Sequence, residues 1–272
     1  MKVAAVVTSY NEGELLRAAL NRLGDQIRPP DEIIVVDDGS TDRESLQVAA
    51  YYQDQQLRHV PGHRVWPTKF IRLPANVGVA RAMVRGLNEV TADLVWFTAV
   101  DDLPRPDLLS SLVPELEAGA RLACGLGRLD GRWKIGRFPS SSAAEMRERG
   151  HLICSHATVA RTEDMRHWLN AAFRWHCDFA AHHLIAHLHG AVNVNRVLVE
   201  IARSKTSYSE RGQRSEQHVR VLSYLAILFA KAPAVLGHLG LGMARHLHRP
   251  GLTFWRHALR RSLGRCLRSL NP

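Results

Sequence analysis

Short apolar runs alternate with stretches of helical period through the first 118 residues. Val3 to Thr8, Glu32 to Val36, Phe70 to Leu73 and Leu94 to Phe97 read as strands, apolar enough to be covered on both faces. Between them, Leu15, Leu16, Ala19, Leu20 and Leu23 recur at helical spacing until Pro29-Pro30 stops the run. Ser40-Thr41-Asp42 can start a second helix, with Leu46, Ala49 and Ala50 on its inner face. Val79 to Val90 predicts a third, packed by Ala80, Met83, Val84 and Leu87, and Pro106-Asp107 opens a fourth through Leu108, Leu109, Leu112 and Leu116. Gln53 to Lys69 is polar and mixed, which assigns it to a surface excursion. Strand-helix-strand-helix order implies right-handed crossovers and a doubly wound α/β unit, whose ligands gather beyond the carboxyl ends of its strands.

Beyond residue 118 the pattern becomes less regular. Leu122 to Gly125 and Ala157 to Ala160 predict strands, with Gly127 to Ser142 as a loop or hairpin between them. Arg174 to His189 reads as a helix, Val192 to Ala202 as extended chain and Arg203 to Ser215 as a polar loop. The last 50 residues are mostly helical, broken near Pro233, Gly240 and Pro250-Gly251. We divide the chain into an α/β part over 1–118, a second part of the same domain over 119–218, and a helical extension over 219–272.

Charge sharpens that division. The formal net charge of +10 invites a nucleic-acid reading, yet 13 Lys or Arg against two acids lie from Arg203 onward. Residues 1–202 carry 23 basic and 24 acidic side chains, so the body is near neutral and nucleic acid is a poor partner for it. In the tail, Leu252, Trp255, Leu259, Leu263 and Leu267 share a helical stripe bordered by arginines. Such a helix can rest on an anionic membrane surface or pack its stripe on the body. Val219 to Met243 is interrupted by Arg220, Lys231, Pro233 and His238, which favours a buried helical pair over a membrane span. Val3 to Val7 reads as a strand and not as a secretory leader. Cys124, Cys154, Cys177 and Cys266 lie far apart, as reduced and buried small side chains would in a cytoplasmic protein.

The densest chemistry is where strands end in paired acids: Val35-Val36-Asp37-Asp38-Gly39-Ser40 and Ala99-Val100-Asp101-Asp102-Leu103-Pro104. Carboxylates at a strand mouth can hold a divalent cation against phosphate, accept hydrogen bonds from a nucleotide, or cap the helix that follows. A nicotinamide-dependent dehydrogenase would need Gly-x-Gly-x-x-Gly after the first strand, and Ser9-Tyr10-Asn11-Glu12-Gly13 supplies none.

Thr8-Ser9-Tyr10-Asn11-Glu12, Val35 to Asp42, Asn76-Val77-Gly78-Val79-Ala80-Arg81-Ala82 and Ala99 to Pro104, in that order, resemble the elements of the family 2 glycosyltransferases. The resemblance implies a GT-A fold: a mixed, mainly parallel sheet flanked by helices. It further implies an inverting enzyme that moves one sugar from a nucleotide-sugar donor to a saccharide, glycolipid or other hydroxyl-bearing acceptor, with Mn²⁺ or Mg²⁺. On residue-by-residue transfer, Thr8, Tyr10, Glu12, Asp38, Arg81, Asp101, Asp102 and Arg203 face the donor; Asp37, pointing the other way from its neighbour as the strand ends, is assigned to support of the turn. Asp101 and Asp102 are the metal residues, although the family often has a further Asp where Ala99 stands. Trp175-His176-Cys177-Asp178-Phe179 resembles the later element whose Asp deprotonates the acceptor, which makes Asp178 the candidate base; the neighbouring His176 can orient it or shuttle a proton. Arg128, Arg132 and Lys134 can meet an anionic acceptor or be solvated. The clustered histidines 182, 183, 187 and 189 make a poor zinc site, lacking His-Glu-x-x-His. The Gln-x-x-Arg-Trp element of processive synthases is absent, so single-sugar addition fits better. A noncatalytic nucleotide-sugar module and a basic nucleic-acid binder are the alternative readings.

Overall fold

The structure is a computed structural model that describes residues 1–57, 68–201 and Leu225. β1 (Val3–Ser9) is buried along its whole length. It pairs in parallel with β2 (Glu32–Asp37) on one side and β4 (Leu94–Ala99) on the other, and β3 (Thr68–Arg72) adds to β2. Alternate residues of each strand feed different cores. Ala5, Val7, Ile33, Val35, Leu94 and Trp96 face a cluster shared with α1 (Gly13–Gly24) and α4 (Leu108–Glu117). Val6, Ile34, Val36, Val95 and Phe97 face a second cluster shared with α3 (Val79–Leu87) and α7 (Cys177–His189). This is why the strands read as unbroken apolar runs: both faces are covered, so a polar side chain within them would lose water without gaining a partner.

The remaining strands make the sheet mixed. β8 (Thr158–Arg161) runs antiparallel to β4, and β6 (Leu122–Leu129) antiparallel to β8. β9 (Val192–Ile201) is parallel to β6, and β7 (Trp133–Ile135) closes a hairpin on the end of β6. The sheet order is β3-β2-β1-β4-β8-β6-β9-β5. β5 (Asp102–Pro104) was not expected from sequence. It follows β4 after only Val100 and Asp101, yet pairs antiparallel with β9, placing Asp102 opposite Ile201. The sheet therefore folds back so that the end of β9 meets the acid pair.

Several expectations shift in detail. Leu15 is exposed, leaving Leu16, Ala19, Leu20 and Leu23 to bind α1 to the core. In α2 (Arg43–Leu57), Leu46 and Ala50 face solvent, while Ser45, Val48 and Ala49 are buried. The helix also runs past Gln53, into what read as a polar excursion. β6 extends four residues beyond the predicted Gly125. The expected helix from Arg174 begins only at Cys177, because Arg174 adopts φ 52° and ψ −131° and interrupts the short 3-10 segment Ala171–His176. Two helices unread in the sequence, α5 (Ala143–Arg149) and α6 (Thr162–Trp168), complete the described fold; a capping box joins Ser142 and Glu145 at the start of α5. Cys124, Cys154 and Cys177 are buried free thiols. Among the described residues no helix is long and apolar enough to cross a membrane. Arg203 and, apart from Leu225, the extension over 219–272 with its basic stripe lie outside the described residues.

Leu112 on α4 is fully buried. Leu112→Ala is expected to lower unfolding free energy by about 3 kcal/mol in urea denaturation, the cost of a cavity in a packed core.

Candidate active site

β1 lies where the connections change direction, with β2 and β3 to one side and β4 to the other. At such a point the loops leaving neighbouring strands separate and open a crevice. The register aligns Ser9 with Asp37 and Thr8 with Ala99, so the ends of β1, β2 and β4 share one edge. Thr8 is buried at that edge, Tyr10 is exposed beyond it, and Glu12 precedes α1, its carbonyl accepting the Leu16 N–H at 2.9 Å. Arg81 is exposed in the first turn of α3.

The two acids after β2 divide their work, because consecutive residues leaving a strand point to different sides. Asp37, 2% exposed, accepts from the Ser40 N–H at 3.2 Å and from the Ser40 hydroxyl, while its other oxygen lies 3.5 Å from Arg72 Nε. It supports the turn, as expected. Asp38, 3% exposed, accepts the N–H groups of Val77 at 2.8 Å and Gly78 at 2.9 Å, one on each carboxylate oxygen. The carboxylate expected to meet a nucleotide also fastens the Asn76-Val77-Gly78 turn to the end of β2. Each oxygen keeps a further lone pair for a ligand. Burial pushes the Asp38 carboxyl up from its ordinary range, against the two N–H bonds that pull it down. Gly39, at φ 73°, is required here: a Cβ would come within 2.5 Å of the Ala75 carbonyl carbon. Asn11 ties the first loop to the second, accepting from the Thr41 N–H at 2.8 Å and donating its own N–H to Ser40 Oγ at 2.8 Å.

The paired acids after β4 also part company. Asp102 is 3% exposed and accepts the Ala99 N–H at 3.0 Å. Its two oxygens lie 2.9 and 3.0 Å from Nδ1 of His156, a residue that sequence reasoning missed. A single histidine ahead of an apolar strand carries no distinguishing pattern; only the pairing of β8 with β4 brings it to the acids. Asp102's negative charge, followed by the Asp102 hydrogen bond and the charges of Asp178 and Asp101, raises His156 to about 9 against the desolvation that lowers it. Asp101 is half-buried, and no ion pair engages it among the described residues. Burial pushes its carboxyl up, and the negative charge of Asp102 adds to the shift.

Asp178 stands in the first turn of α7, where a carboxylate is favoured by the helix dipole. Burial raises its carboxyl, while His156 and the N–H groups of Phe179 and Asp178 itself act in the opposite direction. His176 is the N-cap residue of α7 and packs its ring edge-on to Phe179 at 5.9 Å. His183 is a satisfied core histidine, accepting the Ile153 N–H at Nε2 and bonding the Phe179 carbonyl through Nδ1 at 2.8 Å. Burial lowers His182 to about 3. With both ring nitrogens bonded, His183 has none to offer zinc. Arg128 is paired with Glu200, whereas Trp133, Arg132 and Lys134 are exposed on the hairpin.

A hard divalent cation takes oxygen donors, and Mg²⁺ commonly uses one or two carboxylates with substrate phosphates and water. Asp101 fits that pattern. Asp102, expected beside it as a metal residue, is committed to His156 and the Ala99 N–H, and Ala99 offers no oxygen side chain. Among the described residues no three His, Cys, Asp or Glu side chains gather to hold a metal by themselves. The donor set therefore fits Mg²⁺ or Mn²⁺ as a partial shell that a diphosphate would complete.

His156 also sets an expected pH dependence. Its folded pKa, about 9, exceeds the ordinary value of 6.5, so its pairing with Asp102 stabilises the fold fully below pH 6.5. That contribution is lost as pH rises through about 9. Thermal melting of the unaltered protein is expected to fall across this window, and His156→Gln to flatten the fall.

The family model for glycosyl transferase family 2 matches residues 4–166, which span β1 to α6. Dolichol-phosphate mannosyltransferase of Pyrococcus furiosus is 29% identical over 126 residues, 46% of this chain and 33% of the relative. The chain thus aligns with about a third of the length of the curated relatives it matches. S. aureus TarS in complex with UDP-GlcNAc superposes with a TM-score of 0.64 at 17% identity, over 91% of this chain and 72% of that one. The mannosyltransferase PcManGT of Pyrobaculum calidifontis in complex with GDP-Man and Mn²⁺ gives 0.60 at 19% identity, over 100% and 81%. These likenesses show a GT-A fold, and with the match over residues 4–166 the chain belongs to glycosyl transferase family 2.

Proposed function

We propose that the protein is an inverting glycosyltransferase that moves one sugar from a nucleotide-sugar donor to a hydroxyl-bearing acceptor. One observation carries the reading: β1, β2 and β4 end at one edge, which gathers Thr8, Asp38 and the acid pair Asp101-Asp102, and the charge of Asp178 acts on the same His156 that Asp102 holds. Thr8, Tyr10, Glu12, Asp38 and Arg81 form the donor side of our assignment, with Arg203 added from the sequence alone. Asp178 is the base. It takes the acceptor hydroxyl proton as that oxygen attacks the anomeric carbon; the bond from that carbon to the phosphate oxygen breaks, and the diphosphate leaves with the electron pair. A raised carboxyl suits this role, being a stronger proton acceptor than an ordinary aspartate. Attack opposite the leaving group inverts the anomeric centre. Asp101 would hold Mg²⁺ or Mn²⁺, which supplies positive charge to the leaving diphosphate.

The acceptor class that relatives favour is a lipid phosphate, as in the dolichol-phosphate mannosyltransferase. Trp133, with Arg132 and Lys134 beside it, offers a ring face and two cations to such an acceptor or to a saccharide. The arginine-bordered stripe near the C-terminus supports a peripheral position on the cytoplasmic face of an anionic membrane. A nucleotide-sugar module without turnover is the second reading, favoured by Ala99 and by the commitment of Asp102 to His156. Binding of nucleotide sugars with no transfer across lipid-phosphate and saccharide acceptors would decide for it.

A screen of UDP-, GDP- and dTDP-sugars against those acceptors, with Mg²⁺ and Mn²⁺, tests the activity. In the active pair, Asp178→Asn is expected to lower kcat by about 10²-fold or more with donor binding retained, the typical loss on removing a general base. Comparable turnover would remove Asp178 from the role. Asp101→Asn is expected to raise the Mn²⁺ concentration needed for half-maximal rate, and turnover that survives complete metal removal would reject metal assistance.

A further inference from the structure

His156 is the residue of this site for which the resemblance gave no role, and its surroundings are built. Asp102, 3% exposed, grips Nδ1 with both oxygens at 2.9 and 3.0 Å. The same carboxylate takes the Ala99 N–H, so its own position is fixed by the end of β4. The backbone of His156 is held as well: its carbonyl accepts from Trp96 Nε1 at 3.1 Å, and Trp96 is fully buried. The next turn is closed by the Ala157 N–H on the Cys154 carbonyl at 3.0 Å and the Thr158 hydroxyl on the same carbonyl at 2.7 Å. An imidazole bound to a carboxylate through Nδ1–H has one polar atom left, Nε2. That ring edge makes no other hydrogen bond among the described residues, and the side chain is 44% exposed.

We propose that His156 is a phosphate-contacting residue: Asp102 orients its ring so that Nε2–H donates to the diphosphate of the nucleotide donor at the mouth formed with Asp101 and Asp178. The inference rests on the glycosyltransferase reading and deepens it. A diphosphate entering beside two carboxylates meets repulsion that one partial metal shell relieves only in part. An imidazole gripped at Nδ1 by both oxygens of a buried acid presents Nε2 in a fixed direction, and an arriving diphosphate itself favours the doubly protonated ring whose Nε2–H donates to it. Because the carboxylate grips the ring before any ligand arrives, no reorganisation is required when negative charge grows on the leaving group. It also gives Asp102 a role that does not require it to coordinate metal: it is the positioning residue for His156.

The test is calorimetric binding of UDP, GDP and dTDP, and of uridine, guanosine and thymidine, to the full chain in Mg²⁺. For the diphosphate that binds, His156→Gln is expected to weaken affinity about tenfold or more, as loss of a charge-assisted hydrogen bond implies, with its nucleoside changed less than about twofold. Asp102→Asn is expected to follow in the same direction. Unchanged diphosphate affinity in folded His156→Gln, or an equal loss for nucleoside and diphosphate, overturns the inference and leaves the glycosyltransferase reading standing. If the unaltered protein binds none of the six, that reading falls and the inference with it. Should the variants not fold, diethyl pyrocarbonate labelling of the unaltered chain, read at His156 by mass spectrometry, asks the same question: UDP, GDP or dTDP is expected to protect the ring where the nucleoside does not. Equal labelling with and without each of the diphosphates overturns the proposal.

Discussion

A strand buried on both faces leaves polar chemistry one place to go, and β1 imposes that constraint on the whole molecule. From Val3 to Ser9 every residue is covered, by α1 and its neighbours on one side and α3 and its neighbours on the other. Charged groups within such a strand would be desolvated without partners. They collect instead where β1, β2 and β4 end, because there backbone N–H groups of turning loops are free to bind them. Asp37, Asp38 and Asp102 are each nearly inaccessible, yet each accepts hydrogen bonds from backbone amides, a hydroxyl or an imidazole, and the second Asp37 oxygen has the Arg72 guanidinium as a charge neighbour.

This arrangement makes the binding edge and the folding of its loops the same set of interactions. Asp38 joins the end of β2 to the turn before α3; Asn11 joins the first loop to the second; Asp102 joins the end of β4 to the segment before β8. A substitution at any of them acts on the shape of the crevice as well as on what it could touch. The left-handed Gly39 and the broken backbone at Arg174 belong to the same economy of shape. Residues in sparsely populated conformations persist when their surroundings over-determine them, and here they flank the acids after β2 and the acid of α7.

The division of roles between adjacent acids follows from strand geometry. Of Asp37 and Asp38, one faces the helix start and the other the neighbouring turn. Of Asp101 and Asp102, one has no ion pair among the described residues and the other is locked to His156. Two identical residues side by side in sequence therefore occupy unlike electrostatic environments, and a motif written as a pair of letters conceals that difference.

The α/β order, the four strands of the first half, the helix faces of α1 and α4, and the strand-end acids were legible because apolar periodicity and turn residues are local properties of the chain. Asp37's support of its own turn was legible for the same reason: its partner, Ser40, lies three residues away. What sequence could not supply were contacts between distant segments. The bond from Asp38 to Val77 and Gly78 spans about 40 residues, and that from Asp102 to His156 spans 54. β5 is too short to carry a periodicity, and it exists only because the sheet folds β9 back onto it. His156 entered the site by the antiparallel pairing of β8 with β4, a choice made by the packing of two cores and not by any residue near it in the chain. Sequence determined which elements form and which acids leave them; the tertiary structure decided which of those acids were already taken, because hydrogen-bond partners are assigned by proximity in space.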